Sequence, residues 1–259
     1  MDERQCPILT PVPLGQIQHN AVIYTYPGGS VDIIASRGPI FREPGYEAHD
    51  DQPKPSGAVR VKGKKSDGED RLRSARRARA KVRRLALANN FEWFVTLTLD
   101  PDKVDRYDPA AIMKTANRWL DNMVRRKGLR YILVPELHKD GAFHFHGFFA
   151  GSGLDAVASG HVDKQGHPVY NLPQWPLGFT SAIRLYGDYP TAVGYVCKYI
   201  GKQDGERPMG RWYYSGGALQ EPPKLYADLD FDELCAREDA YTFDTAAGKL
   251  AVIHTKMED

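Results

Sequence analysis

Cysteine, long apolar runs and nucleotide-binding loops are all scarce or missing in this chain, and each scarcity removes a class of protein. Three cysteines in 259 residues (Cys6, Cys197 and Cys235) are too few and too scattered for a disulfide framework or a cysteine zinc site. No apolar stretch approaches the ~18 residues that a membrane helix needs. The opening segment MDERQCPILT has no signal-peptide core, so the expectation is a soluble, cytoplasmic protein with no membrane partner. No GxxxxGK[ST] string occurs, which leaves out a P-loop helicase. What is present is ordinary globular usage, 42% hydrophobic and 26% charged, and that argues against disorder. The length allows one large domain or two small ones with a sizeable core.

The net charge of +2 conceals segregation. Between Arg60 and Arg84 stand 12 Lys/Arg against three acids, and from Glu221 to Asp259 ten acids against four bases. A basic block of this kind is either a solvated helix face or a contact for nucleic-acid phosphates. Composition alone does not choose.

Patterning divides the chain into a proline-rich segment 1–57, a basic helical segment 58–90, a core 91–202 and an acidic accessory segment 203–259. Eight prolines before residue 58 forbid long helices and favour loops with short strands such as 31–35. RLRSARRARAKVRRLALANN has high helix propensity and predicts a helix over about 70–88, closed by Asn89 and Asn90. FEWFVTLTLD predicts a strand over about 92–99. Asp108 before Pro109 starts a helix and Gly128 stops it. Residues 131–138 and 142–150 read as strands joined by a KDG turn. Residues 151–177 read as a long irregular excursion, 179–186 as a strand, and 190–201 as a helix. Short strands are expected at 211–214 and 241–244. Antiparallel hairpins beside helices indicate an α+β fold with a central antiparallel sheet.

The strongest local signal is Phe143-His144-Phe145-His146-Gly147-Phe148-Phe149. Alternation puts His144 and His146 on one face of a strand. An HxH pair alone is as readily two half-exposed histidines. A three-residue KDG loop, however, with glycine in the left-handed position, pairs His138 with Ala142 and therefore Glu136 with His144. A carboxylate and two imidazoles then meet on one sheet face, a donor set for one divalent cation. His138, at the turn, is either solvated or a partner of the same site. The second signal is Gly194-Tyr195-Val196-Cys197-Lys198-Tyr199-Ile200-Gly201-Lys202. At 100° per residue Val193, Val196, Cys197 and Ile200 make a core stripe, while Tyr195, Lys198, Tyr199 and Lys202 share the opposite arc. The third is the strand 91–100, whose Phe94, Thr96, Thr98 and Asp100 share a face.

At these residues the chain resembles the rolling-circle replication initiators, the Rep proteins of the HUH endonuclease superfamily. FVTLTLD, HFHGFF and YVCKYIGK stand in that family's motif order over about residues 91–202, and the YxxKY string resembles the two-tyrosine type. The resemblance implies a ferredoxin-like palm, with helices packed on one face and the histidine pair on a central strand. It implies Mg²⁺ or Mn²⁺ held by His144, His146 and Glu136. Tyr195 would be the nucleophile forming a 5′-phosphotyrosine and releasing a 3′-OH, Tyr199 a second nucleophile, and Lys198 a support for the phosphate. Single-stranded or hairpin origin DNA would be the substrate, with host helicase and DNA polymerase as partners. Arg71, Arg73, Arg76, Arg77, Arg79, Lys81, Arg83 and Arg84 are the expected phosphate contacts. Two other classes stay open on the residues alone: an Fe(II) oxygenase with a two-histidine, one-carboxylate triad, and a DNA-binding protein without catalysis. A single-tyrosine HUH transposase shares the motif order.

Overall fold

The structure is a computed structural model that describes residues 18–39, 41–42, 68–185, 187, 189–202, 207–245 and 248–256. Cys6, the 60–65 part of the basic block and Tyr186 lie outside the described residues. In chain order the elements are β1 (Gln18–His19), β2 (Ala21–Thr25), β3 (Ser30–Ser36), β4 (Phe41–Arg42), α1 (Gly68–Ala88), β5 (Trp93–Leu99), α2 (Pro109–Lys127), β6 (Arg130–Leu137), β7 (Phe143–Ala150), β8 (Val157–Val162), β9 (Pro168–Asn171), β10 (Gly178–Arg184), α3 (Tyr189–Cys197), β11 (Tyr214–Gly216), β12 (Lys224–Ala227), α4 (Phe231–Cys235), β13 (Ala240–Thr245) and β14 (Gly248–Lys256). The α+β class expected from the sequence is the class the chain adopts.

The chain divides into two compact units, one of residues 63–221 and one made from both ends of the chain, 1–62 with 222–259. In the second unit a five-stranded sheet of order β12-β2-β3-β14-β13 places Ala21, Ile23, Ile33, Ala251 and Ile253 on one face, where Phe231 and Leu234 of α4 pack against them.

The first unit is built on a seven-stranded antiparallel sheet of order β11-β6-β7-β5-β10-β9-β8. Its central strands are β5, β6 and β7, and strict alternation in β5 (WFVTLTL) buries Trp93, Val95, Leu97 and Leu99 on one side. These side chains meet Ile112, Ala116, Leu120 and Met123 of α2, an apolar stripe at helical spacing. The Asp108 carboxylate caps that helix by accepting from the backbone amides of Ala110 and Ala111, and Gly128, at φ 64°, ends it, as the sequence predicts.

The opposite face carries a second pair of helices. Phe148, which points away from α2, lies against Phe91 and Tyr189, and the Tyr189 hydroxyl donates to the Ala86 carbonyl of α1 at 2.8 Å. Helices therefore pack on both faces of the sheet, which corrects the expectation that they pack on one. The sequence carries the reason: Ile132, Val134 and Phe148 share the histidine face, are 0% exposed, and require a cover. The order β-α-β-β is followed by a hairpin, a strand and then a helix. Compared with the β-α-β-β-α-β order of ferredoxin-like folds, the hairpin β8–β9 occupies the second helix's place in the chain. The segment 151–177, read as irregular, holds that hairpin, whose residues Val157, Gly160 and Val162 lack the strong alternation of the central strands.

Candidate active site

The register of the central strands decides which side chains meet. His138 N donates to Ala142 O at 2.8 Å across the KDG turn, with Gly141 at φ 85°, and β6 pairs β7 with Glu136 opposite His144. On the other side β7 pairs β5 with His146 opposite Thr96 and His144 opposite Thr98. Glu136, His144, His146, Thr96 and Thr98 thus share one sheet face, the three-residue turn having set the parity. Gly147 follows His146 because no other residue fits: a Cβ there would run into the Ile132 carbonyl oxygen.

α1 and α3 cover only part of this face. Ile132, Val134 and Phe148 lie beneath them, while Glu136, His144, Thr96 and Thr98 are half-exposed. The boundary of the covered zone is where the tyrosines stand. The Tyr199 ring stacks on His146 with centroids 4.1 Å apart and planes 9° from parallel. The Tyr199 hydroxyl donates to the Tyr195 hydroxyl at 2.7 Å. Tyr195 is 49% exposed and meets Phe94 edge to face at 5.8 Å.

His146 is held from three directions. Its Nε2 lies 2.8 Å from Glu136 Oε2 and its Nδ1 3.1 Å from the Thr96 hydroxyl, with Tyr199 over the ring. A threonine hydroxyl either donates or accepts, so Thr96 serves the tautomer that bonds Glu136 and equally the one that frees Nε2 for a cation. The other carboxylate oxygen, Glu136 Oε1, accepts from Lys202 Nζ at 2.7 Å, and that ammonium also lies 5.3 Å from the Tyr199 ring centroid. Burial pushes the His146 imidazolium down from its ordinary value in spite of Glu136. Burial and then the neighbouring His138 do the same at His144. Both rings are therefore neutral near pH 7, the form that ligates metals. Burial, reinforced by the bond to Tyr195, pushes the Tyr199 phenol upward.

The sequence-derived residues fare differently. Glu136 and His146 are in direct contact, whereas the His144 ring leans on His138, stacked at 5.1 Å. Among the described residues no group of three His, Cys, Asp or Glu side chains stands close enough to hold a metal ion. The donors nonetheless fit a hard divalent cation in kind, being one carboxylate and two neutral imidazoles on one face, and a positive charge (Lys202) already sits on Glu136. Lys198 is not part of this cluster. It is exposed and lines a shallow recess with Arg79, Gly194 and Cys197. The cause is the end of α3 at Cys197, four residues before the predicted stop. Tyr199 N bonds Val196 O and Ile200 N bonds Cys197 O, i→i−3 turns of about 120° per residue that break the expected arc. Lys202 and Thr96 are the site residues that the sequence reading left out. The clue for Lys202 was the repeat of spacing, with Tyr199 preceding Lys202 by three residues as Tyr195 precedes Lys198.

The eight basic residues proposed for DNA all lie on α1. Ala75, Ala78, Val82 and Leu85 bury its inner face. Arg76 and Arg77 are exposed. Arg73 pairs with Glu69 and Asp70, Lys81 with Glu221, and Arg79 Nε donates to Ile200 O at 2.7 Å.

Residues 92–204 match the family model described as Replication-associated protein ORF2. That segment belongs to this family. It contains β5 through α3, the tyrosine turn and Lys202. Neither the curated proteins nor the solved structures include a match to the chain.

Proposed function

We propose that this protein is a replication initiator that nicks one strand of origin DNA by tyrosine attack, keeps the 5′ end as a phosphotyrosine and leaves a 3′-OH for synthesis. The observation that carries the reading is the tyrosine pair docked on the histidine: Tyr199 stacked on His146, and Tyr195 held by the Tyr199 hydroxyl at the open edge of the sheet. A core match to a replication-associated family supports it.

Each residue has a physical task. The exposed Tyr195 oxygen forms the new bond to phosphorus while the P–O3′ bond breaks, its proton passing to solvent and the departing 3′ oxygen taking one up. Tyr199 donates a hydrogen bond to the attacking oxygen, which gains most when that oxygen is negative. His146, His144 and Glu136 would hold Mg²⁺ or Mn²⁺, whose chemistry is to neutralise charge on the non-bridging phosphate oxygens. Thr96 orients the His146 ring. Lys202 keeps Glu136 charged and in position. Lys198 is assigned to a phosphate outside the reacting group, and α1 to the strand's flanking phosphates. Tyr199, whose proton is held more tightly, acts as the second nucleophile in rejoining. Unwinding and synthesis fall to a host helicase and polymerase.

The test is cleavage of labelled single-stranded oligonucleotides covering the replicon's candidate origins, with Mn²⁺ or Mg²⁺ supplied. His146→Ala should lose cleavage by a hundredfold or more, of the order of a removed electrostatic stabiliser, and keep most DNA affinity, since phosphate contacts supply it. Full cleavage by that variant, or after exhaustive chelation, would contradict the proposal.

A further inference from the structure

The row of residues that carries Glu136, His144 and Thr98 does not end at Thr98. β5 pairs β10 with Thr98 opposite Phe179, so Phe179 stands on the same face, two strands from His144, at about 10 Å by the ordinary strand spacing. Phe179 is 64% exposed, although an aromatic ring of this size is normally buried. Its place is fixed by the backbone. Gly178, just before it, approaches β5 so closely that a Cβ would run into the Thr98 carbonyl oxygen, and Asp100 N donates to Leu177 O at 2.8 Å.

A second observation lies at the same end of the sheet. The loop after β5 crosses to β7, where Phe143 N donates to Arg106 O at 3.0 Å, one residue from His144. The Arg106 Nε is buried with no hydrogen-bond partner. Its remaining contacts are loose: 3.5 Å to the Tyr107 hydroxyl and 3.9 Å to Asp140 Oδ2. A guanidinium with an unused buried donor is unusual and suits a planar oxyanion such as a phosphodiester.

We infer that Phe179 and Arg106 form a single-strand subsite beside the reaction centre, Phe179 stacking one base and Arg106 taking a backbone phosphate. This rests on the reading of the adjacent face as the site of strand cleavage, and it names which part of the substrate lies over Thr98. The occupant is a single strand because an isolated, outward-facing ring offers a stacking surface only to an unpaired base, and base–aromatic stacking is indifferent to sequence.

The test uses full-length protein and a fluorescent oligothymidine without metal, so binding is read whether or not the protein cleaves. Phe179→Ala should weaken this binding about tenfold, the size of one lost base–aromatic stack, and Phe179→Trp should restore it. Arg106→Met should lower the slope of log affinity against log salt by about one, and Arg106→Lys should preserve that slope. A 2-aminopurine base carried along the strand should be quenched at one position in the wild type and at none in Phe179→Ala. Unchanged oligothymidine affinity in both Phe179→Ala and Arg106→Met would overturn the subsite even if the protein nicks origin DNA. A change in sedimentation rather than in DNA affinity would overturn it too, by making Phe179 a protein contact. Loss of affinity in a protein that nicks nothing would leave the subsite standing and remove the cleavage reading.

Discussion

At the scale of single residues, the arrangement turns on which tyrosine oxygen is free. The Tyr199 hydroxyl is engaged as a donor and its ring is pinned on His146, whereas Tyr195 accepts that bond and faces solvent. Tyr199→Phe keeps the stacking and deletes the donated hydrogen. The expected result is nicking slowed by about tenfold, the value of a hydrogen bond to a charged oxygen, with rejoining lost. Single-turnover rates of the two steps, measured separately, check this. Equal nicking and rejoining in the variant would show that the hydroxyl does neither job. The pairing of Glu136 with His144 was legible in the sequence because a glycine at the third position of KDG selects one hairpin and hence one parity. Lys202 was harder to read, since its partner Glu136 lies 66 residues away and only tertiary packing brings a turn after α3 over β6. Phe179 was assigned to the right alternation, but its exposure depends on what covers β10, which no local pattern states.

At the scale of elements, boundaries written in side-chain chemistry agreed closely with the fold, and those written by absence of a cue did not. Asp108, Pro109 and Gly128 each act on their own backbone, so α2 starts and stops where they stand. Asn89 closes α1 in a similar way. Its side-chain amide donates to Leu85 O at 2.8 Å and to Gln220 O at 2.7 Å, and its oxygen accepts from Gln220 N. The end of α3 has no such cap, and the tighter turn from Cys197 comes from packing against α1. There Gly201, at φ 73°, passes so close that a Cβ on it would lie 3.0 Å from the Ala75 Cβ, and Arg79 bonds the Ile200 carbonyl. The basic residues of α1 consequently fall into two kinds with separable effects. Arg79→Met should cost about 1–2 kcal/mol by orphaning that carbonyl, lowering Tm by a few degrees. Arg76→Gln with Arg77→Gln should leave Tm unchanged and reduce the salt slope of single-strand binding by about one to two. Thermal melts and salt titrations on the same two proteins check both. A stability loss from the exposed pair, or none from Arg79, would mean that α1 meets its surroundings differently.

At the scale of the whole molecule, one sheet serves as both wall and floor. Its α2 face is sealed by an apolar core that includes Leu97, Phe145, Phe149, Ile112 and Leu120, and its other face is covered only halfway. The uncovered half bears carboxylate, imidazole, hydroxyl and one exposed phenyl ring, and the tyrosines project from the edge of the covering helices. This division follows from sequence alternation that changes partway along each strand: HFHGFF is polar on one face through His146 and apolar on both from Phe148 onward. By contrast, the second sheet joins strands from residues 21–36 to strands beyond residue 223. Pairing over such a separation leaves no local trace beyond the propensity of each strand.

The central claim is covalent catalysis by the docked tyrosine pair. It is tested most directly by trapping the protein on a labelled origin oligonucleotide in Mn²⁺, denaturing it, and mapping the DNA-bearing peptide by mass spectrometry. The account predicts a 5′-phosphate ester on Tyr195 that is absent from Tyr195→Phe. A first adduct on Tyr199 would reverse the roles of the two hydroxyls, and cleavage with no tyrosine adduct at all would contradict the claim.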